Sequence, residues 1–132
     1  MQEKNVKNTK RNKQSATHVK KLKILITIVN KSKTEYFVDL IQNHEVNVQM
    51  VLQAHGTANA EMLNLLGLLG SEKSVIISAI REDKVSKVLA ELEEKFRSIK
   101  NGSGIAYTIP MSSIIGVAVY GFLSNNTQMV KE

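Results

Sequence analysis

The sequence predicts an α+β fold, and three observations support that prediction. Short runs of β-branched apolar residues, such as Lys23–Val29 (KILITIV), have the length and composition of buried strands. Between these runs lie segments whose apolar residues recur at helical spacing, most clearly Arg81–Ile99. The length of 132 residues fits one domain with a sizeable core.

The predicted elements begin with the strand Lys23–Val29. Ser32 and Glu35 have capping-box spacing, which predicts a helix from about Lys33 to Asn43. The second predicted strand is Asn47–Ala54, where apolar and polar residues alternate.

A short helix follows, for which Thr57 is the predicted N-cap and Ala58–Leu66 the predicted span. Ser74–Ile80 is the third predicted strand. Arg81–Ile99 is then a helix with acidic residues at the positive end of its dipole and basic residues at the negative end.

The last stretch, Asn101–Asn125, has no charged residue and contains the chain's only proline. A membrane span needs about 20 mostly apolar residues, but polar residues and glycines interrupt this stretch and β-branched residues favour strands. We therefore predict a strand Ile105–Ile109, a turn Pro110–Ser113 and a strand Ile114–Leu123. The whole order predicts a ferredoxin-like βαββαβ sandwich with a short extra helix after the second strand and an extra C-terminal strand.

The net charge of +6 resides in residues 1–21, and the rest of the chain is neutral. This tail has too few large apolar residues to fold, so we expect a disordered tail at 1–21, a domain at 22–126 and a C-terminal tail at 127–132. The tail is either an electrostatic arm for phosphates or anionic membrane, or a solubilising extension. No apolar segment precedes Leu22 as in a secretory signal, and the lack of cysteine fits a cytoplasmic protein.

Candidate catalytic groups are few. His18, His44 and His55 are too scattered for a metal site, and no nucleophile elbow, Walker loop or dinucleotide fingerprint is present. We therefore expect neither an enzyme nor a metal protein.

Two motifs resemble the nitrogen regulatory PII and PII-like superfamily. Asn101–Gly116 (NGSGIAYTIPMSSIIG) is similar to that family's Gly-x-Gly, short strand, proline and closing strand. Gly56–Glu61 (GTANAE), followed by Leu65–Leu68 (LLGL), resembles divergent members whose signalling loop is shortened. The resemblance extends over Lys23–Asn125.

This resemblance implies a homotrimer with inward-facing sheets that holds small effectors, often adenine nucleotides such as ATP, ADP or AMP, in clefts between subunits. It also implies that the loops Gln53–Asn59 and Asn101–Ile105 line each cleft. Glycines and a helix start suit anions, because they present backbone N–H groups. The candidate effector-binding residues are His55, Gly56, Thr57, Gly102, Ser103 and Gly104.

The sequence also departs from the family pattern. Ile105 stands where classical members have a lysine, and Gly116 and Ala118 stand where their closing strand carries phosphate-binding arginines. Tight ATP binding by the classical mode is therefore not expected. Tyr36, Tyr107 and Tyr120 lie in predicted helix or strand, so uridylylation-type control is not supported.

The segment Gly56–Ser71 is unusually apolar. It is either a lid on its own sheet or a docking helix for a protein partner, and the docking candidates are Met62, Leu65, Leu66 and Leu69. These features predict a PII-like signal-transduction regulator whose pathway, by resemblance, is nitrogen regulation. We expect no sequence-specific nucleic acid, and membrane contact only through a partner or the basic tail.

Two other functions remain open. The first is a trimeric interaction scaffold that has lost its ligand. The second is an RNA-binding ferredoxin-like module. RNA-recognition modules stack bases on aromatics of their central strands, and the strands Lys23–Val29 and Ser74–Ile80 contain none.

Overall fold

The computed structural model describes residues 21–57, 59–65 and 72–125. The predicted tails therefore lie outside the described residues, apart from Lys21. The elements in chain order are β1 (Leu22–Asn30), a 3₁₀ turn (Lys31–Lys33), α1 (Thr34–Gln42), β2 (Gln49–Ala54), α2 (Ala60–Leu65), β3 (Lys73–Arg81), α3 (Glu82–Ser98), β4 (Gly104–Pro110) and α4 (Val117–Leu123).

The four strands form one antiparallel sheet in the order β2-β3-β1-β4. The long central pair places Ile26 of β1 opposite Ile77 of β3 and, on its other side, opposite Tyr107 of β4. This order and direction are those of a ferredoxin-like βαββαβ sandwich, so the predicted fold class is confirmed.

The core lies between one face of the sheet and the helices α1 and α3. Alternate strand residues such as Leu25 and Ile76 are fully buried, because a strand directs every second side chain to the same face. They meet Phe37 and Ile41 of α1 and Leu92 of α3, which recur at helical spacing on the buried side of each helix.

The predicted C-terminal strand Ile114–Leu123 is wrong. Residues 111–116 have no regular structure, and α4 follows from Val117. The helix is held by tertiary contacts: Tyr120 is buried, and the Asn47 amide donates to the Phe122 carbonyl at 2.5 Å. These contacts outweigh the β-propensity of the segment, which is a weak and context-dependent preference.

Two predicted helix starts also differ. Ser32 lies within the 3₁₀ turn and α1 has no side-chain cap, so the capping box with Glu35 is wrong. For α2, the cap is Asn59 rather than Thr57, since the Asn59 side-chain oxygen accepts from the Met62 N–H at 2.9 Å. Thr57 and Asn59 are both capping residues by type, and sequence spacing alone does not decide which of them caps α2.

Among the described residues, no helix has both the length and the apolar character that crossing a bilayer requires.

Candidate functional site

The face of the sheet opposite α1 and α3 is apolar. Met50 and Leu52 of β2 are 55% and 47% exposed, and Tyr107 and Ile109 of β4 are 45% and 46% exposed. By strand alternation and register, these side chains share one face with the central residues Ile24, Ile26, Ile28, Val75 and Ile77. We call this surface the open face. Contiguous apolar side chains of this kind, as opposed to scattered single ones, are typical of an interface.

One end of the sheet gathers the loops that the sequence assigned to the effector. The strands β1 and β2 end there, and β3 and β4 begin there, as three register pairs show: Asn30 with Lys73, Ala54 with Lys73, and Val29 with Gly104. The loop after β2, with Gly56 and Thr57, and the loop before β4, with Ser103, therefore lie at the same end. We call it the loop end.

Within one chain the structure does not bring these two loops together. The first loop follows β2 and the second precedes β4, which are the two outer strands of the order β2-β3-β1-β4, with two strands between them. At a spacing of about 4.8 Å per strand, their separation is roughly 14 Å. The sequence predicted both loops, but it did not predict that they lie on opposite edges.

Gly102 and Gly104 have structural roles at this end. A Cβ on Gly102 would lie 2.8 Å from the Ile99 Cβ, and the Gly102 N–H already donates to the Ile99 carbonyl at 3.0 Å. A Cβ on Gly104 would lie 2.7 Å from the Ile28 carbonyl oxygen. The backbone N–H of Gly102 is therefore engaged within the fold, and both glycines are required by packing.

The remaining candidates are accessible. His55, Gly56 and Thr57 are exposed in the loop after β2, and Ser103 is exposed in the loop before β4. Ile105 lies half-buried in β4 opposite Ile28, so it places an apolar side chain on the open face. The other two departures from the family pattern lie at α4, where Gly116 precedes the helix with φ of 96° and Ala118 lies within it.

Sequence reasoning missed a polar cluster at the loop end. Lys73 is 3% exposed, and its ammonium donates to the Asn30 side-chain oxygen. The Asn30 amide donates in turn to the Asn101 carbonyl at 2.7 Å, which links β3 through β1 to the loop before β4. Burial lowers the pKa of Lys73 below its usual value. The signal in the sequence was a lysine placed, by alternation, on the apolar face of a strand.

An ion pair lies beside this cluster. The Lys31 ammonium donates to the Glu72 carboxylate at 3.0 Å, where Lys31 follows β1 and Glu72 precedes β3. The hydrogen bond and charge of Lys31 lower the pKa of Glu72, and the charge of His55 adds a smaller effect in the same direction. His55 and Glu72 are therefore electrostatic neighbours at the loop end.

The docking candidates are described only in part. Met62 and Leu65 in α2 are 52% and 83% exposed, whereas Leu66 and Leu69 lie outside the described residues. Both described side chains are exposed to solvent, and the choice between a docking helix and a lid stays a prediction.

Of the described histidines, His44 lies far from the loop end, on the loop after α1. Its Nε2 lies 2.6 Å from the Glu91 carboxylate of α3. No group of three or more potential metal ligands occurs among the described residues.

The strand order defines the fold as ferredoxin-like. The glycine-bearing loops lie at one end of its sheet. Solved structures with a similar fold include those of PII-like proteins. CPII from Thiomonas intermedia K12, bound to ADP, AMP and acetate, has a TM-score of 0.58 and 20% identity, with 75% of this chain and 92% of that chain covered. Its apo form, described as a nitrogen regulatory PII-like protein, has a TM-score of 0.55 and 21% identity, covering 68% and 88%.

A PII-like signalling protein from Thermus thermophilus has a TM-score of 0.54 and 13% identity, covering 68% of this chain and 85% of that chain. At these identities the comparison establishes the fold. No protein-family model and no curated protein matches the sequence.

Proposed function

We propose that the chain is a PII-like regulator of signal transduction: a cytoplasmic, non-enzymatic homotrimer that binds a small effector between subunits and modulates a protein partner. The observation that carries this proposal is the placement of the two candidate loops. They lie at one end of the sheet but on opposite edges, so a site that uses both needs a neighbouring subunit. Nitrogen regulation is the pathway that the resemblance implies.

The open face supports the trimer. Its apolar side chains cover both central strands and both edges, so association would remove them from water. Burying apolar surface contributes about 25 cal/mol per Å², which makes a face of this composition a strong candidate for subunit contact.

The sheet edges support the placement of the site. β2 runs toward the loop end and β4 runs away from it, so β2 of one subunit and β4 of the next are antiparallel when their loop ends align. Pairing of the two edges in this direction would place Thr57 beside the next subunit's loop before β4. It would also satisfy the unpaired backbone groups of both edge strands.

The effector is proposed to be an adenine nucleotide or a small anion. The related CPII fold was solved with ADP, AMP and acetate. In this chain the contacts available are the exposed backbone and side chains of Gly56, Thr57 and Ser103, with His55 beside them. Backbone N–H groups in glycine-bearing loops bind anions without a basic side chain.

The partner is proposed to bind the segment after Thr57. Met62 and Leu65 offer exposed apolar side chains there, and the segment starts at the proposed effector site. The effector regulates the partner by binding one arrangement of this segment better than another.

A thermal-shift panel of ATP, ADP, AMP, cyclic dinucleotides, 2-oxoglutarate and bicarbonate tests the proposal, on protein whose trimeric mass is established by light scattering. A ligand at ~100 times its dissociation constant stabilises the fold by roughly 2.7 kcal/mol. The shift should disappear in Ser103→Asp, which places a negative charge in the loop, and persist in Ser86→Asp, on the exposed side of α3.

A trimer that shows no shift with any of these ligands would contradict the sensor and favour the ligand-free scaffold. A monomer would contradict both. The RNA-binding alternative is weakened by the strand order, since the central strands β1 and β3 carry no aromatic residue and Tyr107 lies on the edge strand β4. RNA binding that survives deletion of residues 1–21 would revive that alternative.

A further inference from the structure

The loop end contains a cation that is both accessible and held by a carboxylate of the same chain. The Lys31 ammonium lies 3.0 Å from the Glu72 carboxylate, and the two side chains are 53% and 57% exposed. Lys73 lies nearby, but it is 3% exposed and its ammonium donates to Asn30. An anion arriving from solvent therefore meets Lys31 before Lys73.

The backbone around this ion pair is fixed. The Lys31 N–H donates to the Glu72 carbonyl at 2.9 Å, and the Thr34 hydroxyl donates to the Lys31 carbonyl at 2.8 Å. The same Thr34 hydroxyl lies 2.7 Å from the Ser74 hydroxyl. Because the main chain is anchored on both strands, only the two side chains are free to change partners.

We propose that the Glu72 carboxylate is an internal competitor for the anionic group of the effector, occupying Lys31 until that group displaces it. This inference rests on the proposed function, because it assigns a residue and a regulatory contact to the proposed site. Glu72 and an incoming anion repel each other, so the carboxylate opposes binding whether or not Lys31 contacts both.

The position of Glu72 gives this competition a consequence. Glu72 is the residue just before β3 and follows the segment that begins at Gly56 and includes α2. When the anion takes Lys31, the Glu72 side chain loses that partner, while the hydrogen bond from the Lys31 N–H to the Glu72 carbonyl keeps the main chain in place. The competition therefore changes the charge and the side-chain position at the C-terminal end of that segment.

The experiment is a titration of full-length protein with ADP, AMP and bicarbonate, followed by calorimetry, at low salt. Glu72→Gln removes the competing charge and should lower the dissociation constant roughly two- to fivefold, the range expected for an exposed charge pair. Lys31→Gln should raise it by a similar factor. Lys100→Gln is the matched control, since it removes a lysine charge from the end of α3 beside the same loop.

The outcomes separate this inference from the function on which it rests. If neither wild type nor Glu72→Gln binds any of the three probes, the proposed binding of a nucleotide or small anion is overturned together with this inference. If wild type binds and Glu72→Gln binds equally, the competition alone is overturned. An effect of Lys100→Gln as large as that of Lys31→Gln would indicate general electrostatics and would also overturn it. Unchanged unfolding temperatures show that the variants are folded.

Discussion

Gly104, the first residue of β4, lies directly beneath the ring of Phe96 in α3. A Cβ on Gly104 would be 2.7 Å from the Phe96 Cε1 atom and 2.7 Å from the carbonyl oxygen of Ile28 in β1. Phe96 in turn packs on Phe37, with ring centroids 5.3 Å apart. The loop before β4 is therefore anchored to the core at the point where it enters the sheet.

The variant Gly104→Ala should destabilise the fold by about 1–3 kcal/mol, because one of the two close atoms belongs to the backbone of a central strand and cannot move aside. Urea unfolding measures this as a lower midpoint with an unchanged slope. Ser103→Ala, at the exposed neighbouring position, should change the free energy of unfolding by less than about 0.5 kcal/mol. Equal free energies of unfolding for the two variants would show that the close contacts at Gly104 do not contribute to stability.

Lys73 should make stability depend on alkaline pH. Burial lowers the pKa of its ammonium in the folded chain below its ordinary value of 10.5. Between the folded pKa and 10.5, the unfolded chain binds more protons, so the free energy of unfolding rises with pH in that window. Lys73→Met lacks this contribution, so wild type should gain stability relative to it as the pH approaches 10.5. If the free energy of unfolding changed with pH in the same way in wild type and in Lys73→Met, the burial of the Lys73 ammonium would be contradicted.

The open face predicts a contrast between two adjacent residues of β2. Met50 lies on the open face and is 55% exposed, whereas Val51 lies on the opposite face and is 44% exposed. A lysine buried without a partner at a subunit contact costs enough to weaken association at least about tenfold. Met50→Lys should therefore shift the proposed trimer toward monomer in light scattering, and Val51→Lys should not. Equal behaviour of the two would place the subunit contact elsewhere.

The contact between Asn47 and α4 should hold the C-terminal helix. The Asn47 amide donates to the Phe122 carbonyl, and the Arg81 guanidinium reaches the Ser124 carbonyl at 3.5 Å. Asn47→Ala should cost about 0.5–1.5 kcal/mol and accelerate hydrogen exchange in residues 117–125. Asn43→Ala, at the exposed end of α1, is the comparison that should leave this exchange unchanged. Faster exchange in both variants would indicate a general loosening.

The parts of the fold that follow from local pattern were predictable. The apolar runs of β1 and β3 and the helical spacing in α3 each identify one element, and the order of the elements along the chain predicts the sandwich. The helix α4 was not predictable in the same way. Its β-branched residues favour a strand, and the donors that stabilise the helix, Asn47 and Arg81, lie far away in the sequence.

The candidate site shows the same division. Loop positions follow from the strand boundaries, so the loops after β2 and before β4 were located from the sequence. Their separation on opposite edges depends on strand order, which no local pattern reports. The partners of Asn30, Lys31, Glu72 and Lys73 likewise depend on which strands are neighbours, and that is why the polar cluster was missed.

The packing of Gly102 and Gly104 changes what a Gly-x-Gly signature means in distant relatives. Both glycines are needed where α3 turns into β4, whatever lies in the cleft outside. Selection for a stable helix-to-strand junction would therefore preserve the signature in lineages that had abandoned nucleotides. A Gly-x-Gly match at such a junction therefore reports the architecture of the chain, and the binding chemistry depends on the side chains around the cleft.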